Sequence, residues 1–334
     1  MGTIVIAFLI FGILVLFHEF GHFGVAKLVG IKVHEFSIGM GYRILRFKGK
    51  ETEYSLRILP IGGYVKMEGE DEASSDENSF NNKPLWARIL VIIAGPVMNF
   101  ILAILLFSIS FYAMGFPTTT MNKVTPNFPA ELAGIKSGDQ IVSINDTSVH
   151  RWNDIVNYIG ERKENNLKVK VVRDGKEKEM VVKPIYDETT KRIMIGISPK
   201  FEKSFIKSIS ASFDNVYVMI KEMCGFFKKL FGGKASANDV VGPIGIIHLV
   251  GKVAKTNIYN VLGFAAMISI NLGVVNMLPI PALDGGRLIF LIIEGIIGRP
   301  LDPEKEGIIH FTGFVLLMGL MVFMVYKDVM RFIL

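Results

Sequence analysis

Four stretches of this chain, Ile4–Val29, Ile89–Phe116, Val261–Leu283 and Phe311–Tyr326, are too long and too apolar to belong to a water-soluble fold. A hydrocarbon layer about 30 Å thick is crossed by roughly 20 mostly apolar residues. Within it a helix satisfies its own backbone, whereas an open strand cannot. The expected fold is therefore a polytopic α-helical membrane protein with four transmembrane helices, whose first partner is the lipid bilayer. Composition agrees, with 50% of the 334 residues hydrophobic and 20% charged. The first span has no basic flank and no small-residue cleavage site, so it reads as a retained helix rather than a signal.

The regions between the spans differ in kind. Residues 32–87 follow the first transmembrane helix (1–31) and read as a membrane-associated β region and loop. Its short strands are Tyr42–Phe47, Glu53–Leu59 and Tyr64–Met67, with a turn at Lys48–Lys50, a break at Gly62-Gly63 and a solvated acidic run at Glu68–Glu77. The second transmembrane helix (88–117) leads to an α+β domain over 118–200, in which Asp174-Gly175 marks a hairpin. Residues 201–257 form an amphipathic segment, since Phe205, Ile209, Phe213, Val216 and Ile220 recur at helical spacing. Too charged to span, it suits either the membrane interface or the face of the preceding domain. The third transmembrane helix (258–286), then a loop and the fourth helix (287–334), complete the chain.

Charge sets the expected orientation. The 37 Lys and Arg against 31 Asp and Glu leave a net charge of only +6, which calls for no nucleic acid. Basic residues concentrate in 32–88 and recur after the third span as Arg287, Arg299 and Lys305. Cytoplasmic loops carry such an excess. Both loops are thus expected on the cytoplasmic side, with the α+β domain and both termini outside.

The chemistry is concentrated at His18-Glu19-Phe20-Gly21-His22, an H-E-x-x-H pattern near the end of the first span. Residues four apart share a helix face, so both imidazoles can reach one ion, with Glu19 beside it as general base. Ionisable groups at such depth are costly and point to function. Cys224 is the only cysteine, so any metal must be held by His, Asp or Glu. A hydrolytic zinc site takes three protein ligands and keeps one position open. His34, His150, His248 and His310 each stand alone in the sequence. Asp284, beyond Pro279 and Pro281, is the better third ligand; its alternative is to cap the helix that follows. Asn276 suits either the substrate backbone and oxyanion or a bond between helices.

His18–His22 in the first span, Asn276-x-x-Pro279-x-Pro281-x-Leu283-Asp284-Gly285, and Gly95-Pro96-x-x-Asn99 together resemble the site-2 protease family. Within it the chain is most similar to the bacterial regulator-of-sigma-E proteases. The segment Asn127–Asp139 resembles a PDZ domain, present here in one copy. The resemblance implies an intramembrane zinc metalloprotease with His18, His22 and Asp284 on Zn2+ and Glu19 as catalytic base. It also implies single-span membrane proteins as substrates, of the anti-sigma factor or remnant signal peptide type. An upstream site-1 protease acting first, residence in the bacterial cytoplasmic membrane and a strand-adding edge in 32–67 follow from it as well. A metal transporter would instead spread its ligands along a pathway, with no glutamate poised beside them.

Overall fold

Long apolar helices and a small antiparallel sheet divide the chain between them. The computed structural model describes residues 2–70, 74–161, 166–188, 191–233, 241–299 and 301–332. It falls into two units, residues 1–110 with 212–334, and residues 111–211. The centre of the acidic run, 71–73, and part of the amphipathic segment, 234–240, lie outside the described residues.

In the first unit α1 (Gly2–Leu28) leads to a hairpin of β1 (Val33–Lys48) and β2 (Glu53–Met67). A single 3-10 turn, Phe80–Asn82, precedes α2 (Leu85–Met114). The hairpin differs from the three short strands expected. Gly62-Gly63 does not end β2; the antiparallel ladder continues through repeated register shifts. Glycines at positive φ absorb those shifts, with Gly39 at 85° and Gly62 at 83°.

The second unit runs β3 (Phe116–Val124), α3 (Pro129–Leu132), β4 (Gln140–Ile144), β5 (Thr147–Ser148), α4 (Trp152–Glu161), β6 (Leu167–Arg173), β7 (Lys176–Val182), β8 (Ile185–Asp187), β9 (Arg192–Met194) and β10 (Ile197–Glu202). Its main sheet has the order β10-β3-β4-β6-β7, with β5 beside β4. Asp174 and Gly175 take φ of 50° and 74°, as a tight turn between β6 and β7 requires. The core is aliphatic, with Ile141, Ile144, Ile155, Leu167, Val169 and Val171 fully buried. Burying each such side chain stabilises this unit by about 1.5–3 kcal/mol. This is the α+β complement expected of the PDZ-like domain.

The chain then continues through α5 (Phe205–Phe231), α6 (Pro243–Ala254), α7 (Ile258–Asn276), α8 (Asp284–Ile297) and α9 (Pro303–Phe332). Among the described residues, four helices are long and apolar enough to cross a membrane, namely α1, α2, α7 and α9. The segment 258–286 is not one continuous helix but is interrupted at its two prolines. α7 stops at Asn276, a turn carrying Pro279 and Pro281 follows, and Asp284 opens α8. Neither proline has an N–H to continue a helix. Likewise the segment 201–257 holds a second, apolar helix, α6, besides the amphipathic α5.

Lipid tails are as apolar as leucine, so close packing rather than water exclusion must hold these helices together. A Cβ on Gly21 of α1 would strike the Ala94 carbonyl of α2, and one on Gly273 of α7 would lie 2.8 Å from the Phe100 ring. Both crossings therefore need glycine. Arg88 of α2 and Glu294 of α8 add a bidentate ion pair at 2.9 and 2.5 Å.

Candidate metal centre and active site

α1 presents His18 and His22 one turn apart, both buried. The turn after α7 returns the chain so that Asp284 meets them. Its Oδ2 lies 3.2 Å from His18 Nε2 and 3.5 Å from His22 Nε2, and the two ring nitrogens are 3.3 Å apart. Among the described residues, this is the group of three or more His, Cys, Asp and Glu whose ligand atoms all lie within 4.8 Å of one another. The alternative reading of Asp284 as a helix cap is not realised. Leu283 is the N-cap residue of α8, and no side-chain hydrogen bond caps it.

The tautomer of His22 follows from its surroundings. Its Nδ1 is 2.8 Å from the Val91 carbonyl, which can only accept, so Nδ1 carries a proton and, in the neutral ring, the Nε2 lone pair faces the cluster. His18 Nδ1 is 3.1 Å from Asn99 Nδ2 on α2. Gly95 sits between these two contacts on α2, and a Cβ there would collide with His22 Nε2 and come within 2.8 Å of His18 Cε1. Lone pairs and a carboxylate oxygen crowded this closely are favourable only around a cation or protons. The donor set, two imidazoles and one carboxylate, suits zinc.

Glu19 lines the same pocket of about 170 Å3 as His18, His22, Tyr64, Glu70, Asp284 and Arg287. The hairpin passes close beside it, since a Cβ on Gly63 would sit 3.0 Å from Glu19 Cγ. Polar bonds stiffen this part of β2. Arg57 donates to Tyr64 Oη at 2.6 Å and to Glu35 Oε1 at 2.9 Å, and Ser55 donates to Glu35 at 2.6 Å. Burial alone raises the Glu35 carboxyl, but the bonds from Ser55, Tyr64 and Arg57 outweigh it and hold its pKa at about 2.

Asn276, at the last position of α7, places Nδ2 3.2 Å from His18 Nε2, so its amide reaches the cluster itself. His34 pairs instead with Glu68 at 2.5 Å. His310 is not a ligand either. Its Nδ1 accepts the Ala282 N–H at 2.9 Å, and Ala282 has a φ of 74° in the turn that delivers Asp284. Nothing in the sequence ties Glu70 or Val91 to this site, and Arg287 stood out there only as a basic loop residue. The Glu70–Arg287 ion pair lines both the metal pocket and a neighbouring cavity of about 420 Å3. Only the motif Gly95-Pro96-x-x-Asn99 drew attention to that part of α2.

Comparison with known proteins fits a membrane-embedded metallopeptidase that uses zinc. The sequence profile of peptidase family M50 matches residues 6–320. The chain belongs to that family, the site-2 proteases. A relative from Clostridium acetobutylicum is 45% identical over 329 residues, covering 98% of this chain and 97% of its own. The regulator of sigma-W protease RasP of Bacillus subtilis is 34% identical over 417 residues, with 99% of each chain covered. The zinc metalloprotease RasP of Geobacillus kaustophilus is 32% identical over 419 residues, with 100% of this chain and 99% of its own covered. Among solved structures, the PDZ domain of an SdrC-like protein from Listeria monocytogenes covers 25% of this chain and 86% of its own, at 20% identity and a TM-score of 0.22.

Proposed function

We propose that this zinc metallopeptidase cuts peptide bonds within the transmembrane segments of single-span membrane proteins, with His18, His22 and Asp284 on the metal and Glu19 as the base. The observation that carries the assignment is the convergence of Asp284 Oδ2 on two imidazoles from α1, with Glu19 lining the same pocket. When bound, zinc supplies Lewis acidity to the scissile carbonyl and lowers the pKa of water toward about 7. Glu19 takes the water proton and returns it to the leaving nitrogen. Asn276 offers its amide N–H to the carbonyl oxygen as negative charge builds there. The β1–β2 hairpin, whose Gly63 lies against Glu19, offers its backbone to an unwound substrate, which supplies hydrogen bonds without demanding sequence.

Anti-sigma factors and remnant signal peptides fit as substrates. The name of the Bacillus subtilis relative, a sigma-W regulator, supports the first. We place the active site toward the cytoplasm and the PDZ-like unit and both termini outside, on the basic loops at 32–88 and after α7. In that position the PDZ-like unit acts as a filter that admits substrates already trimmed by a site-1 protease. α5 exposes Phe205, Phe213 and Tyr217, as a helix lying in a membrane interface does.

The test is a set of three variants assayed for zinc and for cleavage of a transmembrane substrate. Glu19→Gln keeps zinc and loses cleavage, since it removes the base and no ligand. His22→Ala and Asp284→Ala lose both. Full zinc and activity in Asp284→Ala would overturn the ligand assignment.

A further inference from the structure

We propose that Asn99 is a positioning residue for the metal: its side-chain oxygen accepts the Nδ1 proton of His18 and so fixes the ring with Nε2 free to bind zinc. The inference rests on His18 being a ligand, as proposed above.

A neutral imidazole that binds metal through Nε2 must carry its proton on Nδ1, and that N–H needs an acceptor. For His22 the acceptor is the Val91 carbonyl at 2.8 Å. For His18 the side chain within reach is Asn99, 3.1 Å away and wholly buried. Asn99 Oδ1 meanwhile finds no hydrogen-bond partner among the described residues. The amide's oxygen and nitrogen are nearly equal in size, so a half-turn about its last torsion brings Oδ1 onto the ring proton without moving a neighbour.

The placement on α2 is systematic. Val91, Gly95 and Asn99 are spaced i, i+4 and i+8 and share one stripe of the helix. The outer two contact one imidazole each, while the glycine between them leaves room for both rings. That stripe answers the i, i+4 spacing of His18 and His22 on α1. The Asn99 backbone makes a different contact, its carbonyl accepting from Ser269 Oγ of α7 at 2.8 Å. Side chain and main chain are therefore separable by mutation.

The experiment measures zinc affinity of the full-length protein by chelator competition in detergent, without reference to cleavage. Asn99→Leu keeps the shape but has no acceptor, and is expected to lose roughly 10–100-fold in affinity. Asn99→Asp presents an oxygen in either orientation and is expected to bind at least as tightly as the native protein. Ser269→Ala, which removes only the bond to the backbone, is expected to lower thermal stability and leave zinc affinity unchanged. Native affinity in Asn99→Leu overturns the proposal. So does an equal loss in Asn99→Leu and Asn99→Asp, which marks a packing role. If Asn99→Leu does not fold, Asn99→Asp decides, and a tenfold loss there overturns the proposal. His22→Ala, measured alongside, isolates the underlying assignment: if it keeps native affinity, the ligand set itself is wrong.

Discussion

Replacing Gly95 by alanine adds one methyl group at the back of the metal cluster. The new Cβ would lie 2.8 Å from His18 Cε1 and 2.6 Å from His22 Cε1, and closer still to His22 Nε2. Carbon atoms rest about 3.5–4.0 Å apart, so at least one imidazole must retreat by roughly 1 Å. Metal sites hold their ligand distances to within about 0.2 Å, and a misplacement of about 1 Å costs about 100-fold in rate. Helix propensity works the other way, since alanine is favoured over glycine inside a helix by roughly 0.5–1 kcal/mol. A loss therefore comes from the collision and not from a weakened α2. Gly95→Ala should lower zinc affinity at least tenfold and cleavage about 100-fold, read by chelator competition and by turnover of a transmembrane substrate. Gly24→Ala in α1 is the control, because a Cβ there meets nothing within 4 Å. Native zinc affinity and native cleavage in Gly95→Ala would refute the packing argument.

His310→Phe removes the acceptor for the Ala282 N–H and should cut activity about tenfold, an effect near the 1–2 kcal/mol cost of a left-handed alanine; adding Ala282→Gly should restore part of it, and no rescue would show that the His310 bond does not act through this turn. Burial raises the Asp139 carboxyl, but bonds from Arg173 and the Lys136 N–H outweigh it and hold its pKa below the ordinary range. The folded pKa being depressed, its contribution is present above about pH 3.9 and fades as pH falls through the folded value. Asp139→Asn should thus lower the melting temperature of the PDZ-like unit at pH 7, read by Trp152 fluorescence in a Trp86→Phe background, with the difference closing in acid; a difference unchanged at low pH counts against the ion pair. On a Cys224→Ser background, a cysteine at Ser75 should react with an impermeant reagent only after the membrane is opened and one at Thr147 in intact cells or spheroplasts; the reverse inverts the proposed orientation. Replacing residues 121–199 by a flexible linker should leave zinc bound and admit untrimmed substrates, and continued dependence on trimming would place the filter elsewhere.

The sequence was legible where chemistry is local. His18 and His22 share a helical turn, so their pairing needed no fold. Asp284 stood out because two prolines exposed a carboxylate at membrane depth. The part left unread depends on contacts between distant residues. Val91 orients His22 from 69 positions away and Asn99 reaches His18 across 81. A backbone carbonyl leaves no mark in a sequence at all. The same holds for β2, where Gly62-Gly63 reads as a break by composition. In the fold, a long partner strand and bulges at glycine carry the ladder through. His310 looked isolated for a related reason: its partner is a main-chain N–H at Ala282.

Charge balance in the membrane unit separates scaffold from site. Arg88 is matched by Glu294 in a bidentate pair, and Arg287 by Glu70. Asp328, wholly buried on α9, accepts the Gly242 and Gly245 N–H groups at the start of α6, where the helix dipole favours an anion. Each of these charges finds its counterpart within the protein, which is the condition for keeping it out of water. Asp284 is different. It faces two imidazoles, and one of them, His22, already spends its proton on the Val91 carbonyl. A neutral imidazole with its lone pair turned toward a carboxylate oxygen adds electron density where negative charge already lies. What balances that arrangement is a cation or a shared proton between them. Zinc, the metal of this peptidase family, meets that requirement.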